Sequence, residues 1–159
     1  MDGFSDDGFI IDQDRFAALP YRRMSSDING CGWIAAYNLR HALGHGTGHE
    51  EVCREMDGMI RLRIPGPTPM HVMRRYLARY TDAALTAGRE RALAAVKSSR
   101  AGVLRYWEGR EPHFIAFVRR PDGLYRFLNV ADGQEDISLP ADAFFAVHCR
   151  RGWIRVLTV

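Results

Sequence analysis

The spacing of apolar and polar positions changes period near residue 100, and that change divides the chain. Before it the spacing is helical. From Cys31 to Leu43, the apolar residues Ile34, Ala35, Tyr37, Leu39, Ala42 and Leu43 cover most of a helical circumference, the pattern of a buried helix. Gly44 is placed to cap its C-terminus. Thr47 and Glu50 have capping-box spacing and predict a second helix from Gly48 to about Asp57. Ile60 to Ile64 alternates and predicts a short strand or extended segment. Pro65-Gly66-Pro67-Thr68-Pro69 is a break, with Thr68 as N-cap and Pro69 as first helical residue. In the helix that follows, Met70, Met73, Leu77 and Tyr80 share a face, and a fourth helix spans about Arg89 to Lys97 with Leu93 and Val96 inward.

After Ser98-Ser99-Arg100 the alternation is strand-like. Gly102 to Trp107, His113 to Val118 and Leu124 to Val130 predict three strands, the last two joined by the turn Pro121-Asp122-Gly123. Pro140 to Phe145 predicts a short helix, and Val147-His148-Cys149 with Trp153 to Leu157 a closing hairpin around Arg151-Gly152. Residues 1–28 read as an extended lead-in, with a short strand at Phe9-Ile10-Ile11, a helical turn from Asp14 to Leu19 and an irregular loop from Tyr21 to Ile28. Helices first and antiparallel strands afterwards give an α+β fold. The expectation is one domain: lead-in 1–28, helical part 29–98 and sheet part 101–159.

Composition narrows the setting. The 159 residues are 47% hydrophobic, enough for a core, and no apolar run is long enough to span a membrane. The acidic N-terminus Met1-Asp2-Gly3-Phe4-Ser5-Asp6-Asp7 is unlike a secretory signal, so a cytoplasmic protein is expected. Three cysteines, Cys31, Cys53 and Cys149, build no disulfide framework and none is in a Cys-x-x-Cys pair. The net charge is +3, carried almost wholly by arginine in scattered pairs such as Arg22/Arg23 and Arg74/Arg75. Scattered charge argues against nucleic acid as a partner. His41, His45 and His49 have a one-face spacing, but Gly44, Gly46 and Gly48 interrupt it and no carboxylate motif completes it, so neither metal nor cofactor is expected.

The chemistry concentrates at Asn29-Gly30-Cys31-Gly32-Trp33. A cysteine at a helix N-terminus faces unpaired backbone N–H groups and the positive end of the dipole, and both favour thiolate. Gly30 and Gly32 are read as leaving the backbone open to a substrate carbonyl. A thiol nucleophile takes a histidine base, and His113, opening a hydrophobic strand, is the one singled out. Folding at Asp122-Gly123 brings it opposite Asn129 to Asp132, so that Asn129 or Asp132 would accept the Nδ1 proton.

In their order, Cys31-Gly32, His113-Phe114 and Asn129 resemble the papain-like cysteine peptidases, in particular the bacteriocin-processing (double-glycine leader) peptidases and their relatives. Pro67-Thr68-Pro69 is similar to the turn that starts that family's later helix, and Val103 to Trp107 to the strand before its histidine. The likeness runs from about Ser25 to the C-terminus. It implies a papain-like fold, with a central Cys-bearing helix packed on a C-terminal antiparallel sheet. It also implies a peptidase cleaving a peptide or small-protein substrate through a thioester. Cys31 would be nucleophile, His113 base and then acid, and Asn129 the orienting residue. Where the family usually carries an oxyanion-hole glutamine this chain has Ser25, so Ser25 and Asn29 are the oxyanion candidates, while a carboxylate at Asp27 would repel an oxyanion. The same chemistry serves an amidase, deamidase or transamidase, and without it the domain would be an inactive peptide binder.

Overall fold

The helix that opens at Cys31 is buried almost throughout, and the rest of the chain is laid around it. A computed structural model describes residues 2–62, 64–130 and 136–159. The lead-in forms a 3-10 turn (Gln13–Phe16), a hairpin of β1 (Pro20–Tyr21) and β2 (Met24–Ser25), and a single helical turn, α1 (Ser26–Asn29). Then come α2 (Cys31–Ala42), α3 (His49–Met59), α4 (Met70–Leu77), β3 (Ala84–Ala87) and α5 (Arg89–Ser98). The last third holds β4 (Ala101–Glu108), β5 (Glu111–Arg119), β6 (Tyr125–Leu128), β7 (Asp136–Leu139), α6 (Ala141–His148) and β8 (Arg155–Thr158).

Six strands form one antiparallel sheet in the order β3-β8-β4-β5-β6-β7. Strand alternation sends its side chains to two cores. On one side, Val103 and Phe114 join Trp33, Ile34, Leu39, Met56 and Met73 of α2, α3 and α4. On the other, Leu104, Ile115 and Phe117 join Val96 of α5 and Phe144 and Phe145 of α6. The fold is therefore α+β with helices on both faces of the sheet. None of the helices among the described residues is long and apolar enough to cross a membrane.

Two buried polar residues interrupt the apolar surface of α2, and both are tied to other elements, although Arg40 Nε has no hydrogen-bond partner. Asn38 accepts from the Ile10 N–H at 2.8 Å and donates to the Ile10 carbonyl at 2.7 Å, clipping the lead-in to the helix. Arg40 donates to Tyr76 Oη at 2.6 Å and lies 3.8 Å over the Tyr80 ring.

The structure corrects several sequence expectations. Phe9-Ile10-Ile11 makes only an isolated bridge, Ile10 to Phe4. The expected loop from Tyr21 contains the β1–β2 hairpin, whose turn residues Arg22 and Arg23 have φ of 51° and 62°. That turn conformation normally selects Asn or Gly. The tethers of Arg22 offset its cost, because its guanidinium donates to the carbonyls of Ile64, Gly66 and Pro67 and its N–H to Asp57 at 2.8 Å. Thr47 is no cap; its hydroxyl donates to Glu51 at 2.7 Å, and Gly48 is the N-cap of α3. Among the described residues, the Ile60–Ile64 stretch contains no strand, and Leu62 and Ile64 are exposed. Pro69, not Thr68, is the N-cap of α4. The closing hairpin does not form, because Val147 and His148 belong to α6 and β8 pairs instead with β3 and β4. Stacking of Phe144 on Phe127, 3.8 Å between centroids, and of His148 on Phe144 extends that helix past the expected end.

Candidate active site

Three elements meet at the N-terminus of α2. Cys31 is its first residue and only 6% exposed. Its sulfur faces the His113 side chain and the backbone N–H groups of Phe114 and Gly32, all of which favour a charged sulfur. The glycines on either side serve packing, not openness to substrate. A Cβ on Gly32 would lie 1.9 Å from Thr68 Oγ1, and one on Gly30 would lie 2.4 Å from the Ser26 carbonyl oxygen. Thr68 is pinned there by a 2.8 Å hydrogen bond with Tyr21 Oη, so the segment before α4 presses directly on the helix that carries the cysteine.

Burial alone would push the Cys31 thiol up, as it pushes Cys53 to about 11 and Cys149 to about 12. At Cys31 the His113 hydrogen bond and charge, with the two N–H groups, outweigh burial and bring the thiol below its ordinary value. Burial likewise pulls His113 down, but the hydrogen bond and charge of Cys31, followed by the Asn129 contact and the Glu108 charge, leave it raised. Opposite shifts of adjacent groups favour thiolate and imidazolium together over thiol and neutral imidazole.

His113 Nε2 lies 2.8 Å from the main-chain oxygen of Asn129. A carbonyl only accepts, so Nε2 carries the proton and Nδ1 is left for the thiol. This differs from the sequence expectation in both atoms, since the ring nitrogen is Nε2 and the acceptor is backbone. Asn129, the residue after β6, takes φ of 63°. Its side chain instead donates from Nδ2 to Gln13 Oε1 at 3.2 Å, and Gln13 Nε2 donates to the Asp27 carbonyl at 2.7 Å. Gln13 thus links the loop that holds the histidine to the turn that precedes the cysteine. The sequence offers no motif to single it out, because it stands 116 residues from Asn129. Tyr106, opposite His113 in the β4–β5 register, sets its ring edge-on to the imidazole at 5.8 Å.

Cys31, His113 and Asn129 line a cavity of about 520 Å³, together with Gln13, Asp27 and Asn29. Of the two oxyanion candidates, Asn29 is on this wall and its Nδ2 is buried without a partner, whereas Ser25, at the end of β2, is not on it. Asp132 lies outside the described residues. The three histidines with one-face spacing are engaged elsewhere. His41 contacts the Asp7 carbonyl at 2.8 Å, His49 packs against Phe4 and Phe16, and His45 lies near Tyr80. Among the described residues, no group of three or more His, Cys, Asp or Glu is arranged to hold a metal.

No protein-family model matches the chain, and no curated protein matches it significantly.

Proposed function

We propose that this protein is a cysteine peptidase of papain-like fold that hydrolyses a peptide bond in a peptide or small-protein substrate. The observation that carries the reading is the His113 ring held between the Cys31 thiol and the Asn129 carbonyl at the wall of a cavity. Cys31 thiolate attacks the substrate carbonyl carbon. The resulting oxyanion is met by the Asn29 amide and by backbone N–H groups at the N-terminus of α2, where the first turn has no helical acceptors. His113 then passes its Nδ1 proton to the leaving amine as the C–N bond breaks, and the thioester remains. Water, deprotonated by His113, attacks the thioester, and the carboxylate product leaves as Cys31 recovers the electron pair of its sulfur. Asn129 orients the base through its carbonyl, and Gln13 supports that loop.

The position of Ser25 away from the cavity supports a second reading, an inactive peptide-binding domain, because no side chain from that position reaches the wall. Incubation with a mixed peptide pool, followed by mass spectrometry, separates the two. Peptidase activity yields new amino and carboxyl termini that vanish in Cys31→Ala. Products that retain the amide backbone but gain an acid in place of a side-chain amide would move the reaction to deamidation. Peptide retention without any product would favour the binding domain.

A further inference from the structure

The protein carries a net positive charge, yet the cavity beside Cys31 is walled by carboxylates. Asp12, Asp14, Asp27, Glu108 and Glu111 line it, and among the described lining residues there is no lysine or arginine. Asp12 is offset by Arg15 at 3.1 Å, and Glu108 lies 3.9 Å from His148. Asp14, Asp27 and Glu111 have no cationic partner among the described residues, and Oδ1 of Asp27 is buried with no hydrogen bond. The nearby Arg22 guanidinium is directed to the carbonyls of Ile64, Gly66 and Pro67. Carboxylates gathered in a concave wall concentrate negative potential there, opposite in sign to the molecule as a whole.

A second feature of the wall asks for a ligand independently. Asn29 lines the cavity, is 7% exposed, and has its Nδ2 donor buried without a partner. A buried N–H without an acceptor is costly and fits a group that arrives from outside, such as a peptide carbonyl. Between the acids the wall is apolar, with Met24, Pro67, Pro112, Val130 and Ile28, the last 64% exposed. Apolar surface edged by carboxylates suits a side chain with an aliphatic stem and a cationic head. A carbonyl, a stem and a cation together describe a peptide.

We infer that the substrate is a peptide bearing arginine or lysine close to the bond presented to Cys31, with Asp14, Asp27 and Glu111 receiving the cation. This rests on the peptidase reading for the chemistry, but the recognition is testable without turnover. Labelled peptides of matched length, with Arg, Lys, Gln or Glu flanking a common core, are titrated against Cys31→Ala and against Cys31→Ser as an independent variant. Basic peptides are expected to bind and the Glu peptide not to. Asp27→Asn and Glu111→Gln, made in the same background, should each weaken the basic peptides by about twofold to fivefold, the range of a partly solvated ion pair, and leave the Gln peptide unchanged. Added salt should erode the preference. Equal binding of the Arg and Glu peptides, or a preference unmoved by either variant, overturns the proposal. Spermine binding as tightly as the Arg peptide would overturn its peptide part. Basic peptides bound by the variants but never cleaved by the native protein would sustain the inference and count against the peptidase. Cleavage by the native protein with no regard for basic residues would do the reverse.

Discussion

His113 Nε2 donates to the main-chain oxygen of Asn129, 2.8 Å away, while the Asn129 side chain faces Gln13. The orienting group is therefore a backbone atom, held in place by a left-handed conformation that asparagine and glycine adopt more readily than other residues. Asn129→Gly should keep the acceptor and most of the thiol reactivity of Cys31. Asn129→Ala should strain the turn by about 1–2 kcal/mol and lose more. Thermal melts and alkylation rates on both variants check this; equal, severe loss in the two would show that the side chain matters instead.

Gln13→Ala should leave the cysteine and histidine in place but loosen both sides of the cavity, since it removes the bonds to Asn129 and to the Asp27 carbonyl. The expected cost is about 1 kcal/mol or somewhat more for two part-buried hydrogen bonds, read by urea unfolding. Hydrogen exchange should rise at residues 27–29 and 129–130 together.

Gly32→Ala tests the packing under Cys31. The added Cβ would fall 1.9 Å from Thr68 Oγ1 and 2.5 Å from Thr68 Cβ, so α2 or the segment before α4 must move. Overpacking of this kind costs about 1–3 kcal/mol. A variant as stable as the native protein would show that the contact is not tight.

Acid stability depends in part on a surface clamp. Arg126 pairs with Asp7 and with Asp136, joining the lead-in to the β6–β7 edge. The hydrogen bond from Arg126 lowers Asp7 from 3.8 to about 2. A carboxylate depressed by folding adds stability that is fully present above its unfolded value and is lost as pH falls through its folded value. The contribution should therefore fade between 3.8 and about 2. Asp7 is more than half exposed, so the effect is small, under about 1 kcal/mol. Asp7→Asn should flatten the pH dependence of stability in that window and leave it unchanged above.

Much of this arrangement was legible because it follows side-chain pattern. The all-round apolar α2, the alternating β4 and β5 and the Asp122-Gly123 turn were each visible as periodicity or turn chemistry. The edge strands β3 and β7 were not, because four half-exposed residues such as Ala84–Ala87 carry no alternation. The end of α6 was misread because Val147-His148 reads as strand-like, whereas stacking of His148 on Phe144 accompanies a helix that runs to His148. At the site, Cys31 and His113 announce themselves by residue type and setting. The Asn129 carbonyl has no side-chain signature, and Gln13 acts through partners distant in sequence, so neither role was readable. Gly30 and Gly32 were read as an opening to substrate, whereas a Cβ at Gly32 would meet Thr68, distant in sequence, and one at Gly30 the Ser26 carbonyl one turn back.

The lowering of the Cys31 thiol depends on the His113 ring beside it. The most direct measurement is the rate of iodoacetamide alkylation at each cysteine as a function of pH, in the native protein and in His113→Gln, with sites assigned by peptide mass spectrometry. Cys31 should react at pH below the ordinary thiol value of 9.0, while Cys53 and Cys149, buried and raised, stay silent. In His113→Gln the Cys31 profile should move to higher pH. A Cys31 that reacts no faster than free cysteine, with a profile untouched by the loss of His113, would contradict the account.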